Sequence, residues 1–306
     1  MTTIERVTPT RGPTPGHLTG EERTSGGRRG NLRRRTGTVV ANSVAVLFAV
    51  VMAFPAYWMI NTAFKPANEV LTFTPSFIPD HPTLANFVSA IHAPLFLDVL
   101  RNSLIITTSS MIAALVVGFF GALAVARFQF YGRRALILVV LMVQMVPLLA
   151  LLIPLFLMLN QAQLTNTLPG IILVYVVLVL PYTVWTLRGF IVNVPRELDE
   201  AALVDGASRW QTFTRVILPL TAPGLVATAI YSFIQAWNEF IIINTINNSP
   251  EKENLMAWLL NNQTQRQTFW GPLMAGAVIT SVPVVIFFLA IQRNIATGLT
   301  AGAVKG

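Results

Sequence analysis

The sequence predicts an all-α integral membrane protein with six transmembrane helices and both termini in the cytoplasm. Three observations carry this prediction. Of 306 residues, 54% are hydrophobic and only 11% charged; the uncharged runs are long enough to cross a bilayer; and the cations fall almost wholly on alternate sides of those runs. A soluble domain carries about 25% charged residues, so a mean hydropathy of +0.62 argues against a water-soluble enzyme. The formal charge is +8, yet the basic residues form no single patch that tracks a phosphate backbone, and nucleic acid is not an expected partner. With no cysteine, a disulfide framework, a thiolate zinc site and a cysteine nucleophile are all excluded.

A hydrocarbon slab about 30 Å thick needs about 20 apolar helical residues, because each peptide group inside it must be hydrogen-bonded within the chain. Uncharged runs lie at Thr36 to Phe64, Asn102 to Ala126, Ala135 to Leu187, Val216 to Asn238 and Gln267 to Gln292. The third is long enough for two crossings and is polar in its middle, from Asn160 to Thr167. The expected spans are therefore 38–60, 102–126, 135–159, 169–188, 218–243 and 273–292. Pro55, Pro147, Pro154, Pro181 and Pro283 fall inside them, and each can bend its helix or simply shape packing. Gly118, Gly121, Gly271 and Gly276 offer small surfaces for close helix contact.

Lys and Arg are retained on the cytoplasmic side. Of the 21 in this chain, all but Lys65, Arg101, Lys252 and Arg266 fall on one set of alternating segments, the set that contains both termini. The expected organisation is a disordered basic cytoplasmic tail at 1–37, a six-helix domain at 38–292 with a large cytoplasmic loop at 189–217, and a cytoplasmic C-terminal tail at 293–306. The arginines between Arg28 and Arg35 either touch anionic headgroups or only enforce topology. The first apolar run is longer than a signal-peptide core and follows a long tail, so it is expected to stay as an anchor.

Several chemistries are missing. There is no phosphate loop ending in Gly-Lys-Ser or Gly-Lys-Thr, so any ATP is handled by another subunit. His17, His81 and His92 lack ligand-like spacing, and no metal site or cofactor is expected. No Gly-x-Ser-x-Gly elbow occurs, and no intramembrane carboxylate pair suits a proton relay. An ion-coupled secondary transporter is the competing class; it calls for an intramembrane charge or for broken helices at corresponding positions of two repeats, and neither is read from the sequence. A membrane-embedded enzyme ranks below both.

The loop between the fourth and fifth spans carries the functional signal. Pro195 suits the first turn of a helix, and Glu197, Asp199 and Glu200 put negative charge beside that helix's positive N-terminal end. Ala201 and Ala202 allow close approach of another backbone. Gly206 marks a turn into a second short helix, to which Trp210 and Phe213 give an apolar edge. The expected result is a bent helix pair, acidic at its start, that fills a groove on a partner.

Glu200-Ala201-Ala202, three residues, Gly206, nine residues, then Val216-Ile217-Leu218-Pro219 resembles the EAA loop of permease subunits of binding-protein-dependent ABC importers. The pattern usually has isoleucine at Val216. Other stretches narrow the resemblance to the maltose-type carbohydrate permeases. Arg127 to Arg134 is similar to their first inner loop, and Gln144-Met145 with Pro147, and Ile153-Pro154-Leu155, to their third span. Leu164 to Leu168 resembles the loop that follows, Trp237-Asn238-Glu239-Phe240 the end of the fifth span, and Gly298 to Gly306 the tail of the second permease subunit. The resemblance runs from about residue 38 to the end.

It implies a subunit of a bacterial plasma membrane importer that works with a second homologous permease, two copies of a cytoplasmic ABC ATPase and an extracytoplasmic sugar-binding protein. Glu200, Ala201, Ala202, Asp205 and Gly206 are then the ATPase-coupling residues. Gly302, Ala303, Val304 and Lys305 belong to a tail that either reaches into the ATPase dimer or is a plain chain end. Gln144 and Asn238 carry amides that suit sugar hydroxyls or interhelical bonds, and Glu239 suits an interfacial anchor, a subunit contact or a sugar ligand. These three are the candidate substrate path.

Overall fold

The computed structural model describes the backbone of residues 26–261 and 269–303 and the side chains of 38–261 and 269–291. Among these residues all regular structure is helical. In chain order the elements are α1 (Gly26–Ala63), α2 (Ala67–Val70), α3 (Ala85–Ile91), α4 (Phe96–Arg127), α5 (Arg133–Met145), α6 (Leu148–Gln161) and α7 (Leu168–Asn193). There follow α8 (Arg196–Val204), α9 (Arg209–Thr212), a π-helical turn (Phe213–Ile217), α10 (Leu218–Leu220), α11 (Ala222–Trp237), α12 (Ile241–Ile246), a 3₁₀ turn (Pro250–Lys252), α13 (Leu255–Asn261) and α14 (Trp270–Ala303).

The chain divides after Pro55 into two compact units. In the first, the helical residues 38–54 are exposed on every side, with Val39, Leu47 and Phe48 each more than 60% accessible. A helix apolar all round is suited to lipid or to another membrane helix. In the second unit, α4 packs along α7 and α11. Phe119, Ala122 and Ala126 meet Leu187 and Ile191 at one end of this contact, while Ile106 meets Val174 and Tyr175 further along. Close approach depends on a missing side chain: a Cβ on Gly118 would stand 2.5 Å from the Thr183 methyl.

Among the described residues four helical segments are long and apolar enough to cross a membrane: Thr38–Ala63, Phe96–Arg127, Leu168–Asn193 and Trp270–Ile291. The other two expected spans are broken. The third bends by 104° between α5 and α6, and the fifth by 68° between Leu220 and Ala222. At the first break Val146 and Pro147 are extended, with ψ 124° and 128°. Pro154, Pro181 and Pro283 sit inside intact helices instead. The fifth span also ends earlier than expected, at Trp237, and α12 is separate from it. Of the five prolines that could bend a span, Pro147 stands at the sharper of these two breaks.

Two tail expectations also change. Residues 26–37, expected to be disordered, are helical, while 1–25 lie outside the described residues. At the other end the backbone stays helical through Gly302 to Ala303, so 293–303 continue α14; Val304 and Lys305 lie outside the described residues.

The segment after α11 is bolted to α4. Asn102 Nδ2 donates to the carbonyls of Glu251 and Glu253 at 2.8 and 3.2 Å. The Leu255 amide donates to Ser103 Oγ at 2.6 Å, and Trp258 Nε1 to the Pro94 carbonyl at 3.0 Å.

Two glycines of α7 make opposite predictions. A methyl on Gly170 overlaps the Leu164 carbonyl oxygen, a backbone atom that cannot step aside, whereas one on Gly189 meets nothing within 4 Å. Gly170→Ala is expected to destabilise by about 1–3 kcal/mol through overpacking. Gly189→Ala is expected to stabilise by up to about 1 kcal/mol through helix propensity. Thermal unfolding of the two purified variants in one detergent checks both signs.

Candidate functional site

The loop between α7 and α11 forms a helical hairpin whose geometry is local in origin. Helix α8 starts directly after Pro195, and Glu197 and Asp199 lie in its first turn, beside its unpaired amides. It ends in a left-handed residue, Gly206, at φ +83°. The Gly206 amide donates to the Leu203 carbonyl at 3.1 Å and the Ala207 amide to the Ala202 carbonyl at 2.9 Å. This paired bonding is a Schellman motif, which favours glycine at the left-handed position. The chain then enters α9 through a capping box: Ser208 Oγ accepts from the Gln211 amide at 3.2 Å, and Gln211 Oε1 accepts from the Ser208 amide at 2.7 Å.

Glu200, Ala201, Asp205 and Gly206 are exposed together on this hairpin, and Ala202 is half-buried. Around them Leu198, Leu203, Val204 and Trp210 form an exposed apolar surface, with Val204 at 87% and Trp210 at 63% accessibility. Phe213 shares the edge of Trp210 as expected but is not part of this exposed surface. Its ring is buried, with ring centroids 5.6 Å from Phe119 and 5.0 Å from Trp210. At the two ends of the π-helical turn, Phe213 and Ile217 seat the hairpin against α4 and α7. Space around Gly206 is open, with nothing within 4 Å of an added Cβ.

A second feature opens at the break between α5 and α6. A cavity of about 360 Å³ lies between α5, α6, α7 and α11, and both Gln144 and Glu239 line it. Irregular backbone at membrane depth is tolerated where it borders protein or a watery cavity, and here the broken stretch borders this one. The Gln144 amide makes no hydrogen bond among the described residues. Tyr182 and Tyr231 stack on the wall with ring centroids 3.7 Å apart, and Gln235 Nε2 reaches Tyr231 Oη at 3.4 Å. Among the described residues no lysine or arginine lines the cavity.

Glu239 is the only acid on that wall among the described residues, and its oxygens are engaged. Oε1 accepts from the Ile242 amide at 2.7 Å, and Oε2 accepts from the Ile243 amide at 3.2 Å and from Tyr175 Oη at 2.8 Å. The carboxylate thus caps α12 and ties it to α7. Asn254 Nδ2 completes the knot, donating to the Glu239 carbonyl at 2.6 Å and to Tyr175 Oη at 3.3 Å. Asn238 stands apart from Gln144 and Glu239. Its Nδ2 donates to the Ile234 carbonyl at 3.0 Å, and it borders a different groove, beside Trp237 and α14.

Comparison with known proteins decides the family. Residues 114–300 match the binding-protein-dependent transport system inner membrane components. The chain belongs to that family. This transport component is 40% identical to the diacetylchitobiose uptake system permease protein DasC of Streptomyces coelicolor, over 88% of its own length and 98% of the relative's. It is 36% identical to the trehalose transport system permease protein SugB of Mycobacterium tuberculosis, over 90% and 99%. Its fold matches a chain of a bacterial ABC transporter that imports the acidic polysaccharide alginate, with a TM-score of 0.74, 20% identity and coverage of 85% and 96%.

A transport component of this family is not an enzyme. Its site also includes residues that sequence reasoning passed over. Tyr175, Tyr182 and Tyr231 lie in apolar runs where nothing local distinguishes a lining tyrosine from a packing one. Arg127 was read as a topological charge and as the start of the first inner loop, and it is nearly buried and pairs with Asp199, Nε to Oδ2 at 3.0 Å. Burial pushes the Asp199 carboxyl up, and Arg127 and Arg196 oppose that shift.

Tyr175→Phe removes a hydrogen bond to a charged acceptor inside the α7–α12 knot. The expected cost is about 1.5–3 kcal/mol, read as a lower unfolding midpoint in detergent with helix content unchanged by circular dichroism.

Proposed function

We infer that this chain is the membrane-spanning translocation subunit of an ATP-driven ABC importer for a neutral carbohydrate. The observation that carries this reading is the exposed hairpin Pro195–Pro219, an acidic helix closed by a left-handed glycine and rimmed by Leu203, Val204 and Trp210. On this reading it seats in a cleft of a cytoplasmic ATPase, with Glu200, Ala201, Ala202, Asp205 and Gly206 at the contact. Each bent pair counts as one crossing, which makes six spans with both termini in the cytoplasm, in line with the cation asymmetry. Gly302, Ala303, Val304 and Lys305 are then contacts to the same ATPase pair. A second homologous permease completes the channel, two ATPase copies drive it, and an extracytoplasmic binding protein delivers the cargo.

Two relatives and the cavity wall support this class of cargo. DasC and SugB are named for diacetylchitobiose and trehalose, both uncharged sugars. Stacked tyrosines offer a face for sugar C–H groups, and the Gln144 and Gln235 amides offer partners for hydroxyls. Glu239 is held by internal donors, and with no cation on the wall an anionic cargo has no counter-charge here. Import proceeds without covalent chemistry in this chain. ATP closes the ATPase pair, the hairpin moves with it, and the sugar meets the inward-facing state with lower affinity than the outward-facing one.

Two results test this. In proteoliposomes containing the whole complex and loaded with ATP, uptake of radiolabelled trehalose or diacetylchitobiose is expected to require ATP and to survive collapse of ion gradients. Uptake that needs a gradient and not ATP supports the carrier class instead. Gly206→Trp is expected to insert normally and to lose most ATP-driven uptake. The free space around Gly206 means that the indole obstructs only a partner, on top of an αL penalty of about 1–2 kcal/mol. Full uptake with normal ATPase association removes the hairpin from the mechanism.

A further inference from the structure

We propose that Arg127 is the positioning residue through which movement of the coupling helix α8 is passed to α4, and along α4 to the segment 250–261. This rests on the function proposed above and extends it to a residue outside the hairpin.

The geometry is a reciprocal bracket. Arg127 ends α4 and its side chain is only 9% accessible. From there its Nε faces Asp199 Oδ2 at 3.0 Å and its Nη2 donates to the Val194 carbonyl at 3.0 Å, the residue between α7 and Pro195. In return Arg196, the first residue of α8, donates from Nη2 to the Ala126 carbonyl at 3.3 Å, one of the carbonyls that the end of α4 leaves without a helical partner. Each helix thus holds the other's terminus.

Asp199 directly precedes Glu200-Ala201-Ala202, so the clamp grips α8 at the base of the surface offered to the ATPase. The Nε contact is a charge contact rather than an aligned hydrogen bond, and Asp199 Oδ1 is buried with no hydrogen bond among the described residues. The partly buried carboxylate has Arg127, and after it Arg196, to offset its burial, so sliding α8 away from α4 separates Asp199 from its nearest counter-charge.

What α4 does with that grip follows from its length. It is a single unbroken helix of 32 residues, about 48 Å at about 1.5 Å per residue. Near its other end Asn102 and Ser103 hold Glu251, Glu253 and Leu255 by the bonds given above. The expected fifth span, by contrast, is interrupted at Thr221, and the third at Val146. A rigid element clamped at both ends transmits displacement where a hinged one absorbs it.

The absence of cysteine in this chain makes the test direct. Glu251→Cys, on an exposed side chain, is introduced into the assembled complex and its rate of labelling by a maleimide is compared without nucleotide and with ATP plus vanadate. The expected result is a change of about tenfold in labelling rate. That change is lost in Arg127→Gln although ATPase co-purification and ATP hydrolysis persist, and it returns in the exchanged pair Arg127→Asp with Asp199→Arg.

Asp199→Asn, which keeps the side-chain shape, serves the same comparison where Arg127→Gln fails to assemble. An unchanged nucleotide response in the assembled variants overturns the proposal. So does the lack of any nucleotide response at Glu251 when the bracket is intact. A complex that never retains an ATPase sinks the proposed function itself, and that is seen at purification, before any labelling.

Discussion

A lipid interior offers no hydrogen-bond partner to a peptide group, and this constraint governs the whole chain. It forces the apolar runs into helices, and it makes every interruption of a helix costly unless nearby groups replace the lost bonds. The two broken spans are therefore informative. Thr221 at the 68° bend donates its hydroxyl to the Ile217 carbonyl at 2.7 Å, adding to the bond that carbonyl accepts from the Thr221 amide at 3.0 Å. Val146 and Pro147 at the 104° bend border a cavity with tyrosine and glutamine side chains on its wall. Breaks occur where there is something polar to meet them.

The same constraint explains how few charges are needed to organise the molecule. Glu239, one carboxylate on a wall of apolar helices, gathers two backbone amides and a phenol and so fixes α7, α12 and, through Asn254, the approach to α13. Arg127 and Asp199 do the equivalent work at the end of α4, outside the apolar stretch. Lys65, buried near the end of α1, donates to the Ser76 carbonyl at 2.6 Å and lies over the Trp58 ring at 4.9 Å. Each ion sits at a junction of elements, where it holds segments that apolar packing alone would leave free to shift register.

Legibility in the sequence follows the range of the interaction responsible. The positions of the apolar spans are set by composition over a window of about 20 residues, and a charge-free run shows them directly. The hairpin was readable because its determinants are local: Pro195 opens α8 and Gly206 takes φ +83° within one turn of the residues that demand it. Proline, by contrast, left both outcomes open: Pro154 and Pro181 continue their helices and Pro147 does not, although all three are flanked by apolar residues. Phe213 shares the edge of Trp210 as expected, but its burial against Phe119 of α4 is a long-range contact that the local spacing does not show. The cavity-lining tyrosines and the Arg127–Asp199 pair join residues far apart in sequence, and no local pattern marks them.

The central claim is that the hairpin is the seat of a separate ATPase. Its most direct measurement is crosslinking from Ala201→Cys, exposed on α8 and free of background because the chain has no other cysteine. A short photoactivatable thiol reagent attached there in native membrane vesicles should yield one dominant adduct with an ABC ATPase, changed in yield by ATP. Repeated capture of lipid alone, or of proteins without a phosphate loop, contradicts the account.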